Sequence, residues 1–496
     1  MGWSLRFPLR FPLAARVRLA PHAARAQIAA SIGVSLAFAF AGGACATATA
    51  MNAGGSAAAA APSARPADAP YAALEQLGRV LVQVENEYVD PVDRTKLIDG
   101  AIKGMVAELD PHSSYMPPEE FQTFQSDTEG EFGGVGVEVE LSNEELVVLS
   151  PIEGSPAARA GIRSGDVIVS VDGKDPSTEA IDKLVKHLRG PAGSHVKVGI
   201  RRRGAPDVLA FDLRREVIHV ASVSSTLLAD RVAYIRLKQF QEHTHDELLE
   251  AAAKLRTRAG GTLAGIVLDM RSDPGGLVDQ AAAVADEFLT EGTIYTARHR
   301  GQIVDQVDAR PGGAFVREPC VVLVDQYTAS ASELVAGALQ DSRRATIVGE
   351  RTFGKGSVQA ILALPGGAGM RLTVSRYYTP SGHAIQADGV HPDVVVETKK
   401  DARKEDGAVS YREKDLEGHL APELGGTVRP PPKSVVVEIP AEPEALEDGG
   451  APSDATGGSE AVGIPVDPEK GHDPILRVGW EVLRKAMAEP APASRP

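Results

Sequence analysis

Cysteine is almost absent: Cys45 and Cys320 are the only two in 496 residues. That pair offers neither a disulfide framework nor a cysteine metal cluster, and Cys320, inside the apolar run CVVLV, reads as a small buried hydrophobe. Aromatics are scarce too, at 5% of the chain, which argues against platforms for stacking bases. Positive charge is in deficit, with 52 Lys and Arg against 67 Asp and Glu and a formal net charge of −15. A phosphate-tracking face needs clustered Lys and Arg, so nucleic acid is not the expected partner. What remains is a chain long enough for two or more domains and a sizeable core.

The opening residues do not read as part of a fold. Residues 1–25 carry Arg6, Arg10, Arg16, Arg18 and Arg25 and no acidic residue, and an apolar stretch ending in small residues follows. This order (basic, apolar, small) predicts an export signal over residues 1–46, with A-x-A cleavage sites at Ala44–Ala46 or Ala48–Ala50. The alternatives are an uncleaved membrane anchor, which needs ~20 apolar residues, and lipid attachment at Cys45, against which GGAC lacks the customary leucine. Each places the body of the protein outside the cytoplasm, in the periplasm or cell envelope. Residues 47–70, rich in Ala and Pro, read as a flexible linker.

Apolar residues at three-to-four spacing in ALEQLGRVLVQVENEYVD and TKLIDGAIKGMVAELD predict two amphipathic helices in an N-terminal helical segment, residues 71–125, stopped by Pro111. Such a unit suits packing or self-association, hence a homo-oligomer. Over residues 126–215 the period changes: GGVGVEVE, ELVVLSPI and GDVIVSVDG alternate as strands, SPAARAGI is a short helix, STEAIDKLVKHLRG a longer one, and HVKVGIRRRG with DVLAFDLRRE a hairpin. This segment resembles a PDZ domain on GGVGVEVE, SPAARAGIRSGDVIVSVDG and LRGPAGSHV. The resemblance implies that a peptide tail adds a strand to the sheet edge while loop amides, here Gly134, Val135 and Gly136, hold its carboxylate. The bland reading gives those glycines only a tight strand entry.

Strands and helices alternate over residues 216–400, which predicts a layered α/β core with its active loops where strands run into helices. Two junctions carry chemistry. In LDMRSDPGGLVDQ, two glycines at a helix N-terminus leave backbone N–H groups pointing outward, a ready hole for an oxyanion, or else an empty turn. In VDQYTASASELVAGALQD, Ser330 begins a helix after the strand CVVLVD. Ser330-x-x-Glu333 is also a capping box, which needs no further role, and Ser332 is a competing nucleophile.

Lys355, between Gly354 and Gly356, weighs against a mere cap. GERTFGK matches the first seven positions of a phosphate-binding loop, but the eighth is Gly356 where Ser or Thr should hold magnesium, and a strand-like segment follows. A Ser–Lys pair remains: an unprotonated amine activates a serine without histidine, provided that burial lowers its pKa. Gln359, an even spacing away, is expected on the same face as Lys355, where its amide oxygen would orient the amine. His112, His243 and His245 have no serine in a comparable elbow nearby in sequence, and His243-x-His245 lacks a third metal ligand.

LDPHSSYM, the PDZ segment, RSDPGG, YTASASELVAGALQDSRRATIVGERTFGKGSVQ and SRYYTPSGHAIQADGVHPDVVV together resemble the carboxyl-terminal-processing (tail-specific) protease family, over roughly residues 75–400 plus DPILRVGWEVLRKA. The resemblance implies a Clp protease/crotonase-like core with an inserted PDZ domain. It implies a serine endopeptidase that needs no metal or cofactor and takes protein substrates with apolar C-terminal tails, with room for an envelope adaptor protein. Ser330 would be the nucleophile, Lys355 the base and Gln359 its assistant; Gly276 and the Ala331 amide would form the oxyanion hole, and Arg189 would couple tail binding to activity. The rival is a PDZ-bearing binding or chaperone protein with a dead site. Residues 401–470, rich in Pro, Gly and acids, read as a disordered spacer, and residues 471–489 as a C-terminal helix.

Overall fold

A computed structural model describes residues 71–142, 145–174, 186–398, 412–422, 434–439, 468–469, 471 and 473–488. The export signal or anchor, Cys45, the linker and most of the helix expected over residues 177–190 lie outside the described residues. The chain divides into two units, Met1–Val80 and Leu81–Pro496. Of the first, the described part is the start of helix α1 (Ala72–Glu87).

Helix α2 (Arg94–Ala107) is capped by Asp93, whose carboxylate accepts from the N–H groups of Thr95 and Lys96. It stops at Ala107, short of Pro111, and the chain turns through strand β1 (Ser114–Met116) into helix α3 (Pro118–Glu129). Helix α3 goes beyond the two helices that the spacing predicts, with a proline at its first position and Gly130, at φ 75°, closing it.

The PDZ segment consists of β2 (Glu131–Gly134), β3 (Val137–Ser142), β4 (Glu145–Pro151), α4 (Pro156–Ala160), β5 (Val167–Val171), β6 (His195–Arg201), β7 (Leu209–Arg214) and β8 (Glu216–His219). Five strands form an antiparallel sheet in the order β3-β4-β5-β6-β7, with β3 at its edge. Leu146, Val148, Ile168, Val196, Val198 and Ile200 fill the space beneath it. Strands β2 and β8 pair antiparallel, from Glu131↔His219 to Gly134↔Glu216, so the chain enters and leaves this domain through one ribbon.

The core continues with β9 (Val223–Leu227), β10 (Val232–Leu237), α5 (Thr244–Arg258), β11 (Gly265–Asp269), α6 (Val278–Asp286), β12 (Thr293–His299), β13 (Gln302–Asp308), β14 (Cys320–Val324), α7 (Ala331–Asp341), β15 (Thr346–Gly349), β16 (Ser357–Ala363), β17 (Gly369–Tyr378), β18 (Val394–Thr398), β19 (Val435–Ile439) and α8 (Pro474–Ala488). A seven-stranded sheet runs β19-β18-β15-β14-β11-β10-β9, parallel except for β9. Its central strands β10, β11, β14 and β15 are buried on both faces, which explains their unbroken apolar runs. Ile266 and Leu268 pack with Leu248, Val284 and Val335 of α5, α6 and α7, while Val267 between them packs with Trp480 and Leu483 of α8. A second, antiparallel sheet is built around β17, which pairs with β1, β12 and β16.

One expectation is corrected here. Two parts of the expected spacer, residues 412–422 and 434–439, are ordered parts of the fold. Strand β19 extends the large sheet alongside β18, from Val394↔Val435 to Thr398↔Ile439. Glu413 is fully buried. The run SVVVEIP has the β-branched composition of a strand, which the surrounding Pro, Gly and acids outweighed in a compositional reading.

Candidate active site

A cleft of about 360 Å³ gathers the ends of several elements, and its lining includes Gly276, Ser330, Lys355, Gln359 and Arg371. Residues more than 80 positions apart in sequence thus share one cavity. A larger cleft of about 540 Å³ lies elsewhere, between the β2–β8 ribbon and α5; its one hydroxyl, Ser225, sits within β9 rather than at a helix start.

Ser330 stands where β14 turns into α7, at φ 58° and ψ −118°. A positive φ is uncommon for a residue with a β-carbon and costs about 1–3 kcal/mol, so the neighbours must enforce it. The capping-box pair is in place, but its carboxylate half does the holding: Ser330 N–H donates to Glu333 Oε2 at 2.8 Å, and the Ser330 hydroxyl makes no helix-capping bond. The hydroxyl is thereby left for other work. Ser332, by contrast, is fully buried and its hydroxyl donates to the Asp273 carbonyl at 3.2 Å, which removes it from contention.

Glu333 does more than the sequence suggested. Oε2 also accepts Lys355 N–H at 2.8 Å, and Oε1 accepts Gly354 N–H at 2.7 Å and contacts the Thr352 hydroxyl. One buried carboxylate therefore ties the backbone of Ser330 to that of Lys355. The Tyr377 hydroxyl adds a second tie, donating to the Ser330 carbonyl at 2.6 Å and lying within reach of the Lys355 carbonyl. Burial pushes the Glu333 carboxyl up to about 7.

The Lys355 amine is pushed down to about 8, mainly by burial and then by the Arg371 guanidinium; Glu413, Glu333 and Asp110 pull the other way. This is the shift that a lysine base requires. Among the described residues no hydrogen bond joins this amine to the Ser330 hydroxyl or to Gln359. Unliganded sites often hold such pairs apart until substrate arrives. Strand β16 begins only at Ser357, so Lys355 precedes it, and the extra residue at the register shift beside Gln359 is Val374 of the partner strand β17. Gln359 still lines the cleft, with Nε2 donating to Ser357 Oγ at 2.9 Å and Thr373 Oγ1 at 3.3 Å.

The Pro-Gly-Gly turn lies against the serine elbow. A β-carbon on Gly275 would sit 2.7 Å from Ala329 O and 2.8 Å from Ala331 N, and one on Gly276 would strike Phe240 O at 2.1 Å. Ala329 N–H donates to Asp273 O at 2.9 Å, fastening one junction to the other. The two glycines differ in their N–H groups. Gly275 N–H donates to Asp273 Oδ1 at 2.9 Å, whereas no acceptor takes the Gly276 N–H among the described residues. Ala331 opens α7, where no intrahelical acceptor exists for its N–H. The turn and the start of α7 thus each leave one N–H without an acceptor among the described residues. Buried Asp273 is pushed up to about 7 by desolvation, and its Oδ2 has no partner.

In the PDZ domain Gly134 ends β2, and Val135 and Gly136 form the turn into the edge strand β3. The carbonyls of this turn are occupied: Val135 O accepts Ala157 N–H at 2.9 Å, and Gly136 O accepts Ile152 N–H at 3.0 Å and the Ser155 hydroxyl at 2.9 Å. Among the described residues no acceptor takes the N–H of Val135 or Gly136. An edge strand beside free donors is the arrangement that strand addition needs. Arg189 directly follows the described end of a helix and is partly exposed. Its guanidinium lies 4.4 Å above the Phe132 ring and its Nη1 is 3.5 Å from Asp127 Oδ1 on α3, the helix that also sends Phe124 into the cleft.

The histidines do not enter the cleft. His112 Nε2 lies 2.7 Å from Glu413 Oε2, His245 Nε2 lies 2.8 Å from Glu287 Oε1, and His243 precedes α5. Among the described residues no group of three or more His, Cys, Asp or Glu side chains is arranged to hold a metal.

Comparison with known proteins agrees with this architecture. Residues 231–396 match the model of peptidase family S41, residues 147–202 that of a PDZ domain, and residues 33–120 that of the activating protease CtpB N-terminal domain. The chain is 43% identical over 352 residues to the carboxy-terminal-processing protease of Bartonella bacilliformis, covering 71% of this chain and 81% of the relative. It is 39% identical over 305 residues to the carboxyl-terminal-processing protease of Synechocystis, covering 60% and 70%. A photosystem II D1 C-terminal processing protease of known structure aligns with 34% identity and a TM-score of 0.40 over 65% of this chain and 86% of that one. The chain belongs to the carboxyl-terminal-processing protease family, serine endopeptidases of the S41 type that carry a PDZ domain.

Proposed function

We propose that this protein cleaves polypeptides near their C-termini through a Ser330–Lys355 dyad. The observation that carries the reading is a serine held at positive φ on a helix N-terminus, sharing one cleft with a lysine whose amine is pushed down to about 8. The neutral amine takes the Ser330 proton as Oγ attacks the scissile carbonyl carbon. The oxyanion is met by the N–H groups of Gly276 and Ala331. Lys355 returns the proton to the leaving amine, then takes one from the water that attacks the acyl carbon and delivers it to Ser330 Oγ as that bond breaks. Gln359, anchored through its amide nitrogen, presents its oxygen to orient the amine. Upstream, the Gly134–Gly136 turn holds the substrate's terminal carboxylate while its last residues add to β3.

Arg189 is assigned to coupling between tail binding and the cleft, through α3. The leader over residues 1–46 supports export to the periplasm or envelope, with the anchored or lipidated form as the alternative. The decisive experiment is cleavage of an unfolded substrate with an apolar tail by the wild type and by Ser330→Ala and Lys355→Ala. Both variants are expected to be inactive yet folded, and full activity of Lys355→Ala would refute the dyad. N-terminal sequencing of protein taken from the envelope fraction tests the leader; recovery in the cytosol would refute export.

A further inference from the structure

Lys355 lies on a run, residues 351–356, that has no helix or strand of its own, so its position depends on what grips that run. Glu333 grips it from one side. The other side is gripped by chain that follows more than fifty residues later. Glu413 N–H donates to Phe353 O at 3.2 Å, and Arg412 Nη1 donates to the carbonyls of Arg351 at 3.0 Å and Thr352 at 2.9 Å. Glu413 is fully buried with both oxygens engaged: Oε1 accepts Gln386 Nε2 at 2.8 Å and Oε2 lies 2.7 Å from His112 Nε2. Gln386, itself 1% exposed, takes Gly356 N–H on its Oε1 at 3.0 Å. His112 in turn accepts Arg371 Nε on its carbonyl at 2.9 Å. Glu413 is thus the node where the Lys355 run, the Gln386 loop and the Arg371 side of the cleft meet.

We propose that Glu413 is a positioning residue for catalysis, fixing the run that carries Lys355 through Gln386 and the Gly356 N–H. The inference rests on the reading of Lys355 as the base. Glu413 also acts through its charge. The charges that act on the amine are Arg371 from β17, which lowers its proton affinity, and Glu413, Glu333 from α7 and Asp110, which raise it. Removing the Glu413 charge should therefore leave the amine neutral at lower pH.

The test compares wild type, Glu413→Ala and Glu413→Gln on a fluorogenic tailed peptide across pH 6–10 (about that span), with tail binding measured separately. Glu413→Ala is expected to lower kcat about ten- to a hundredfold, as for ångström-scale misplacement of a reacting group, with tail affinity within about twofold. Glu413→Gln keeps the shape, so it should recover most of that loss while its rate-versus-pH rise moves down by about half a unit or more. A structural role alone would not move that rise. Wild-type kcat in Glu413→Ala, or an unmoved rise in Glu413→Gln, would overturn the proposal; should Glu413→Ala fail to fold, the Gln variant decides. Lys355→Ala separates the two readings: if it is dead while both Glu413 variants behave as wild type, only the role of Glu413 falls.

Discussion

A lysine serves as a base only when its surroundings make charge costly. At Lys355 burial and Arg371 do so, bringing the amine to about 8, and kcat/KM is expected to rise with pH around that value. A pH–rate profile with its midpoint below 7 (about a unit off) would point to another base. The same depression affects stability. Between about 8 and the ordinary lysine value of 10.5, the unfolded chain binds a proton that the folded chain does not, so stability rises with pH in that window. Lys355→Met, free of this burden, should be inactive yet more stable than wild type near neutral pH by on the order of 1–3 kcal/mol. Denaturant unfolding of the two proteins at several pH values measures the difference.

At the scale of elements, the chemistry is set by where two strand-to-helix junctions touch. Gly276 at φ 148° has no room for a β-carbon against Phe240 O. Gly276→Ala must therefore shift the turn and misplace its N–H, and kcat is expected to fall about a hundredfold or more with tail affinity unchanged. Steady-state kinetics together with a tail-binding titration separates these effects. Arg189 is partly exposed and its pair with Asp127 is worth little to stability. Under the coupling reading, Arg189→Ala lowers proteolysis of tailed substrates while leaving the melting temperature and tail binding near wild type. Cleavage at the wild-type rate would leave Arg189 as a ring-stacked surface charge.

Across the whole molecule, a PDZ domain tied to the core by a single two-stranded ribbon implies recognition at one place and cleavage at another. Amidating a substrate's terminal carboxylate removes the group that the Val135 and Gly136 amides would bind. Charge-assisted hydrogen bonds of this kind are worth about 1.5–3 kcal/mol, so cleavage should weaken by roughly ten- to a hundredfold. Equal cleavage of acid and amide peptides would take the PDZ domain out of recognition.

Local and periodic features were legible in the residues alone. Unbroken apolar runs such as GIVLD and CVVLV require strands buried on both faces, the glycines of RSDPGG and FGKG require sharp turns, and Ser330 at a helix start requires a strand-to-helix elbow. These patterns carried the PDZ segment, the layered core and the dyad. Features that depend on partners far away in the chain emerged on folding. Ser330 and Ser332 differ by two positions and are chemically alike; burial against Asp273 separates them. Gly275 and Gly276 are told apart by which N–H is already spent. Glu413 was hidden within an acidic, Pro-rich stretch, since burial of a carboxylate depends on donors that folding brings from elsewhere.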